Sequence, residues 1–200
     1  MAAVAALGFR VHTGWATLVA IRGEPGRLEV LLRRRIELLP PGDSVLRFVY
    51  HHASELPASQ ANHFVQQAEP VSQESSRIAV KEALHDLRSR GFVVQAAGIP
   101  AGSKPLPNDL SAVVRSHPLI HAAEAALFRH AVECACRSCE LTVISVRERE
   151  VWPDAASAWG LKEATLRKQV DGLRRSLGAP WGTDQKTAAA FALRALHPGR

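Results

Sequence analysis

The sequence has no long hydrophobic run and few cysteines, and each shortage excludes a class of protein. None of its apolar stretches approaches the roughly 18 residues that a membrane-spanning helix needs. Its three cysteines, Cys134, Cys136 and Cys139, are an odd number within six residues, which excludes a disulfide framework. No basic segment precedes the short apolar run at 1–7, so this start does not match a signal peptide. We therefore expect a protein of the reducing cytoplasm with no membrane partner.

The overall composition is that of a globular chain. Hydrophobic residues make up 46% of the 200 residues and charged residues 22%, which excludes a disordered acidic or basic tail. No internal repeat and no long linker divides the sequence. A chain of this length fits a single α/β domain, which we predict to span residues 1–200.

The charge balance is basic, with a formal net charge of +6 and a pI of about 9.8. Only five of the 25 basic residues are lysines, and the abundance of arginine and alanine is typical of a bacterial genome rich in GC. A basic chain attracts nucleic acid or a phosphorylated ligand over long range. Codon bias is an alternative source of the same charge, so the charge permits a nucleic-acid partner without requiring one.

Three strands in a meander are predicted for residues 5–39. Two short apolar runs separated by His12 and Thr13 are typical of a hairpin, and Glu24-Pro25-Gly26 marks the next turn. Apolar and charged residues then alternate, which is the period of a half-buried strand. A further short extended piece is expected at 45–50.

Helices and strands alternate in the rest of the chain. Residues 57–90 have a helical composition that Pro70 should divide into two helices. The patterns predict buried strands at 92–99 and 141–146, and helices at 117–138, 162–177 and 185–196. The two apolar strands should be adjacent, parallel and interior, because each follows a helix and is apolar throughout. This order predicts a mixed sheet with helices on both faces.

Two motifs resemble the ribonuclease H-like superfamily. Leu7-Gly8-Phe9-Arg10-Val11, followed by Thr13-Gly14-Trp15-Ala16, is similar to the first hairpin of its Holliday-junction-resolvase branch. Trp181-Gly182-Thr183-Asp184-Gln185-Lys186 resembles the start of the last helix of that branch, which begins with an acidic residue. The resemblance implies a ribonuclease H-like mixed sheet, a three-strand meander followed by helix-strand-helix-strand-helix, and a role with nucleic acid. Segments 50–53, 116–124 and 180–186 also resemble a bacterial family of this fold, which supplies no function.

The sequence departs from the nucleases of this superfamily at the positions that hold metal. Those nucleases bind two divalent metals with acids on the first strand, a central strand and the last helix. Alignment on Gly8 puts Arg10 in the first position, residues 97–99 offer no acid, and only Asp184 matches. Two-metal hydrolysis needs several clustered carboxylates. We therefore predict a nucleic-acid-associated protein that has diverged from the two-metal nucleases.

Two other functions stay open. One is a hydrolase, or a phosphate- or nucleotide-binding enzyme, that uses a His/His/Glu/Asp cluster. The other is a non-catalytic, partner-binding domain. The sequence does not decide whether the protein is an enzyme, and it identifies no cofactor.

The enzyme alternative depends on His117, His121 and Glu124, with Asp184 as a fourth catalytic candidate. On a helical wheel the first three span an arc of about 60° beside the apolar residues of their helix. They should therefore face inward, at a cleft near the carboxyl ends of the central strands, with Asp184 or Lys186 within reach. Such a trio suits a general base with an orienting carboxylate, or three ligands to one ion, and it equally suits a buried hydrogen-bond network.

Five further residues are candidates for binding a ligand. Ser116 can cap the helix that follows or hold an anion at its start, with Lys186 nearby. Trp181 can stack on a ligand or fill the core. His51 is expected to be the inward-facing member of a histidine pair on a strand, and Arg10 stands where the superfamily has an acid.

The predicted helix at 162–177 carries Arg167, Lys168, Arg174 and Arg175 opposite its apolar stripe. Such a face can follow a phosphate backbone, or it can simply be solvated. The cysteines are spaced Cys-x-Cys-x2-Cys, but on a helix their side chains do not converge. We therefore expect small buried residues there rather than a metal site.

Overall fold

The structure is a computed structural model that describes residues 3–43, 45–102 and 105–197. The strands are β1 (Ala3–His12), β2 (Trp15–Glu24), β3 (Arg27–Glu37), β4 (Phe92–Pro100) and β5 (Thr142–Val146). The helices are α1 (Val49–Ser54), α2 (Ala58–Ser89), α3 (Leu110–Val114), α4 (His117–Ser138), α5 (Val151–Ala158), α6 (Glu163–Gly172), α7 (Arg174–Leu177) and α8 (Thr183–Leu196). Short 3-10 turns at Leu46–Phe48 and Glu148–Glu150 precede α1 and α5.

The strands form one five-stranded mixed sheet in the order β3-β2-β1-β4-β5. The meander β1-β2-β3 is antiparallel, and its first turn uses Gly14 at a φ of +79°, a conformation that favours glycine. β4 pairs with β1 in parallel, and β5 pairs with β4 in parallel. The predicted meander and the two strands reached through helices are therefore confirmed. The prediction of one domain over residues 1–200 stays a prediction.

Helices cover both faces of the sheet, as predicted. On one face α2 and α4 bury Phe128 against Leu7 and Phe9 of β1. On the other face α8 buries Phe191 with α5 and α6. In the chain, α4 connects β4 to its parallel neighbour β5, so it runs antiparallel to both strands. Its first turn therefore lies towards the carboxyl ends of the strands. Among the described residues, no helix combines the length and the apolar character that crossing a membrane requires.

The extended piece predicted at 45–50 is wrong, because this segment is a 3-10 turn that leads into α1. Val49 and Ala53 are both buried, and their spacing of four residues is that of a helix face. Asp43 Oδ1 accepts a hydrogen bond from the Leu46 N–H at 2.9 Å and so satisfies the start of the turn. A short apolar run does not by itself distinguish a strand from a helix.

The break predicted at Pro70 is also wrong, because α2 continues through it. Proline removes one helical hydrogen bond and crowds the preceding turn. Packing compensates, since α2 buries small residues on both sides of the proline, among them Ala61, Ala68, Ser76 and Ala83. Tertiary contact with α4 and the sheet therefore outweighs the local preference of one residue.

The buried interior position predicted for both apolar strands is correct in part. β4 lies inside the sheet, and its second half is buried. β5 is parallel to β4 as expected, but it is the edge strand, and none of its residues is fully buried. The apolar side chains of β5 are only partly buried. Val143 packs towards α4 on one face of the sheet, and Ile144 packs towards α8 on the other. The predicted helix at 162–177 is likewise divided into α6 and α7.

Candidate functional site

The carboxyl end of β1 carries an ion-pair network centred on Arg10. This residue lies on the same face of β1 as Gly8, which packs against the backbone of α8. Its guanidinium pairs with Asp184 in the first turn of α8 and donates from Nε to Glu148 Oε1 at 3.2 Å. Both acids come from the carboxyl-end side of the sheet, where open α/β sheets bind ligands. The network thus places one cation between two acids, of which Asp184 is half-buried and Glu148 is exposed.

His12 lies beside this network at the end of β1. Its Nε2 is shielded from solvent and lies 3.5 Å from Asp184 Oδ2, and its ring stacks on Trp15 with centroids 4.0 Å apart. Burial lowers the pKa of His12 below its ordinary value of 6.5, and this effect outweighs the opposing attraction of Asp184. The folded protein therefore favours a neutral imidazole at this position.

The lowered pKa of His12 predicts a stability change on acidification. The unfolded chain binds a proton here more readily than the folded protein, so the free energy of unfolding should fall as the pH drops below about 6.5 and recover above it. His12→Gln should remove this contribution, so the variant loses less stability than the wild type between about pH 8 and about pH 5. Urea unfolding at each pH measures the difference. His85→Gln, at an exposed position on α2, is the control, and an unchanged pH slope in His12→Gln contradicts the prediction.

A second polar cluster joins α1 to the start of α4. His117 and His121 lie one turn apart on α4 with their ring centroids 4.4 Å apart, and the His51 ring lies 4.9 Å from that of His121. Glu124 is buried at 2% exposure and receives the His51 backbone N–H at 3.3 Å. The predicted trio therefore shares one face, and His51 joins it.

The inward orientation predicted for the whole trio is wrong for its two histidines. His117 and His121 are exposed, and only Glu124 is buried. His51 was expected on a strand, but it lies on α1. It still reaches the trio, because α1 docks on α4 through the carboxylate of Glu124.

Asp184 and Lys186, which were expected within reach of the trio, belong to the other side of the sheet. Asp184 pairs with Arg10, and Lys186 Nζ lies 2.7 Å from Asp171 Oδ1. Both residues sit on α8, whose core is separated by the sheet from the core that α4 enters. A helical wheel orients residues on one helix, but it does not say which face of the sheet that helix covers.

The remaining ligand-binding candidates have structural contacts. Ser116 occupies the N-cap position of α4, where its carbonyl accepts from the N–H groups of Leu119 and Ile120, but its hydroxyl makes no capping bond. Trp181 is 5% exposed, and its indole N–H donates to the Val170 carbonyl at 2.8 Å. This position matches the core alternative for Trp181 rather than a stacking platform.

The basic face predicted on the helix after residue 162 is present. Lys168, Arg174 and Arg175 are exposed, and none has an ion-pair partner within the described ranges. Arg167 instead pairs with Glu163 and lies over the ring of Trp152. The three unpaired cations belong to the α8 side of the sheet, which also holds the Arg10 network.

The cysteines are free thiols in the structure. Cys136 is buried in the core, and burial raises the pKa of its thiol, while Cys134 and Cys139 are half-buried. Where the chain is described, three potential metal ligands converge at His51, His117 and His121, and the cysteines are not among them.

Sequence reasoning missed Glu148 as a site residue and treated His12 as part of a turn. Glu148 lies 138 positions from Arg10 in the chain, so no local pattern connects them. A usable signal was nevertheless present. Glu148 follows β5 by two residues, and acids just past a parallel strand lie at the edge where these sheets hold their sites.

The sheet order and the helices on both faces define the class of protein. An antiparallel meander followed by two parallel strands, in the order β3-β2-β1-β4-β5, is the ribonuclease H-like fold that the sequence predicted. The resemblance inferred from the first hairpin and the last helix is thus confirmed for the fold.

Two solved structures are similar to this chain over nearly its whole length. The structure of Thermus thermophilus RuvC matches with a TM-score of 0.52 and 16% identity, covering 95% of this chain and 92% of that one. T. thermophilus RuvC in complex with a Holliday junction substrate matches with a TM-score of 0.52 and 15% identity, covering 96% and 91%. At these identities the likeness shows the fold. No protein-family model and no curated protein matches the sequence.

Proposed function

We propose that this chain is a nucleic-acid-associated ribonuclease H-like domain that holds nucleic acid without cleaving it by the two-metal route. The observation that carries the proposal is the position of Arg10. Its guanidinium lies at the carboxyl end of β1 and pairs with both Asp184 and Glu148. A cation therefore occupies the position at which the superfamily nucleases hold their metal-binding acids. We call this arrangement of Arg10, Asp184 and Glu148 the closed site.

The residues at this place do not fit a pair of divalent ions. Two-metal hydrolysis needs carboxylates that are free to bridge cations about 4 Å apart. Here both acids already pair with a guanidinium, which is always charged, and residues 97–99 at the end of β4 add no further acid. A divalent ion would have to displace Arg10, whose positive charge repels it.

Charge supports the association with nucleic acid. The chain carries a net charge of +6, and the unpaired cations Lys168, Arg174 and Arg175 lie on the same side of the sheet as the Arg10 network. Phosphate contacts from such residues give binding that is largely independent of sequence. One of the similar RuvC structures holds a Holliday junction, which makes branched DNA the first probe to use. A reducing cytoplasmic location, predicted from the cysteines, is part of this proposal.

We expect binding to four-way-junction DNA that weakens as salt rises from about 50 mM to about 200 mM. Arg174→Glu/Arg175→Glu should weaken it at least tenfold and reduce the salt slope by about 2, because two phosphate contacts are lost. Fluorescence anisotropy with junction, duplex and single-stranded DNA and with RNA measures both effects.

The matched control is Lys81→Glu/Arg88→Glu, which makes the same charge change at exposed positions of α2 on the opposite face of the sheet. Equal losses in the two double variants would show attraction by net charge alone. Absence of binding at low salt would overturn the nucleic-acid role. Cleavage of the junction in Mg²⁺ that is lost in Asp184→Asn would overturn the closed site.

The histidine cluster supports a second candidate, an enzyme or binding protein for a phosphorylated ligand. The observation in its favour is that His117 and His121 are exposed beside the first turn of α4. Asp184 cannot belong to that site, because it lies across the sheet in the Arg10 network. Phosphate that shifts the imidazole NMR signals of His117 and His121 would support this candidate.

A further inference from the structure

Three histidines from two helices converge on one point at the surface. One ring nitrogen from each of His51, His117 and His121 lies within 4.8 Å of the others, and the ring centroids are 4.4 to 5.5 Å apart. The pair on α4 follows from a spacing of four residues, which places side chains one above the other. The third ring is brought by α1, 66 residues earlier in the chain, so this arrangement depends on the tertiary fold.

Glu124 fixes the orientation of the third ring. Its Oε1 lies 2.8 Å from His51 Nδ1 and also receives the His51 backbone N–H at 3.3 Å. A carboxylate only accepts hydrogen bonds, so Nδ1 carries the proton and the lone pair of the ring is at Nε2. A carboxylate behind a histidine in this way is the usual outer support of a metal-ligating imidazole.

Burying the Glu124 carboxylate behind His51 costs folding free energy. The side chain is 2% exposed, and a buried carboxylate is unfavourable unless it has charged or hydrogen-bonding partners. Among the described residues its partners are the two N–H groups of His51. A cation on the far side of the His51 ring would strengthen that bond, because it makes Nδ1–H a better donor.

We propose that His51, His117 and His121 form a three-histidine site for a divalent transition metal of the zinc class, with Glu124 as the positioning residue. A tetrahedral zinc site has Zn–N distances of about 2.0–2.1 Å, which places its nitrogens about 3.3 Å apart. The exposed His117 and His121 rings can close the remaining gap by small rotations. Imidazole donors favour zinc, copper or nickel over Mg²⁺, which prefers oxygen.

The site leaves one coordination position towards solvent. Three protein ligands and an open position are the arrangement of zinc centres that bind a water or an anion. This site lies on the α4 side of the sheet and is separate from the Arg10 network. The inference therefore does not depend on the proposed nucleic-acid role.

The test is metal binding by the full-length protein, stripped of metal and kept reduced. We expect one Zn²⁺ per chain by chelator competition. In a Co²⁺ derivative, the visible d–d bands should show low coordination number, and the near-ultraviolet spectrum should lack a thiolate charge-transfer band. His51→Ala, His117→Ala and His121→Ala should each weaken zinc binding at least tenfold. Glu124→Gln, which keeps all three imidazoles, should weaken it about 10–100-fold. His85→Ala, on an exposed part of α2, should leave binding unchanged.

Distinct results would overturn the proposal. If zinc affinity is unchanged in both His51→Ala and Glu124→Gln, the metal binds only to the His117 and His121 pair on α4 and the site is adventitious. A thiolate band in the Co²⁺ spectrum would place the ion on the cysteines. Circular dichroism of the metal-free variants separates loss of ligand from loss of fold. If Glu124→Gln fails to fold, His51→Ala still decides, because the zinc-dependent rise in Tm of the wild type should be smaller there, whereas a site made only of the two α4 histidines would keep it.

Discussion

Gly98→Ala should remove a large part of the stability of this protein. A Cβ on Gly98 would lie 2.0 Å from the Phe191 carbonyl oxygen and 2.6 Å from the carbonyl carbon, both in the backbone of α8. Gly8 faces the same helix from the paired position on β1, with the Ala188 carbonyl oxygen 1.9 Å from the place of its Cβ. Because neither glycine has a side chain, the backbone of α8 packs directly against the backbone of β1 and β4 at these two positions.

The backbone of α8 cannot yield as a flexible side chain would. The helix is fixed by eight buried residues, so the variant must lift the helix or distort the central strands. We expect a loss of more than about 4 kcal/mol in the free energy of unfolding, against a total of roughly 5–15 kcal/mol for a domain of this kind. Urea unfolding followed by circular dichroism, together with the yield of soluble protein, measures this.

Gly172→Ala is the matched control for the glycine prediction. Gly172 ends α6 without a left-handed backbone, and a Cβ there meets nothing within 4 Å. This change should be neutral or should stabilise the protein by up to about 1 kcal/mol. If Gly98→Ala and Gly172→Ala have the same stability, the close approach of α8 to the sheet is wrong.

The parts of the fold that sequence predicted correctly are those with a strong period or clear boundary residues. The alternation in β3 and the long amphipathic pattern of α4 were both readable, and α4 has the predicted bounds 117–138. The failures at 45–50 and at Pro70 come from segments whose local preference is weak or is opposed by packing. The edge position of β5 depends on how many strands the sheet has, which no local pattern encodes.

The candidate site divides in the same way. Helical spacing alone predicts that His117, His121 and Glu124 share a face, and they do. The wheel does not predict their exposure, because in the first two turns of α4 only Ile120, Ala123 and Glu124 are buried, and the two histidines lie at the exposed edge of that face. The pairing of Arg10 with Glu148 joins residues far apart in the chain, so it required the folded topology.

Arg10→Asp should turn the closed site into one that responds to divalent ions. The variant would place three carboxylates, those of residue 10, Asp184 and Glu148, where one arginine now neutralises two acids. Without divalent ions we expect the free energy of unfolding to fall by about 1–3 kcal/mol, because the hydrogen-bonded pair is lost and like charges meet. Mg²⁺ at about 10 mM should restore about 1.4 kcal/mol if it binds with a Kd of about 1 mM.

The wild type should show no comparable gain, because Arg10 already satisfies both acids, and three imidazoles are poor ligands for Mg²⁺. Arg10→Gln is the control that removes the cation without adding an acid, and it should lose stability with a smaller recovery in Mg²⁺. Urea unfolding of all three proteins with Mg²⁺ and with chelator gives the comparison. A wild type that gains as much as Arg10→Asp would mean that the guanidinium does not close the site. An Arg10→Asp variant that is indifferent to Mg²⁺ would mean that Asp184 and Glu148 do not converge on the end of β1, and the ion-pair network would then be wrong.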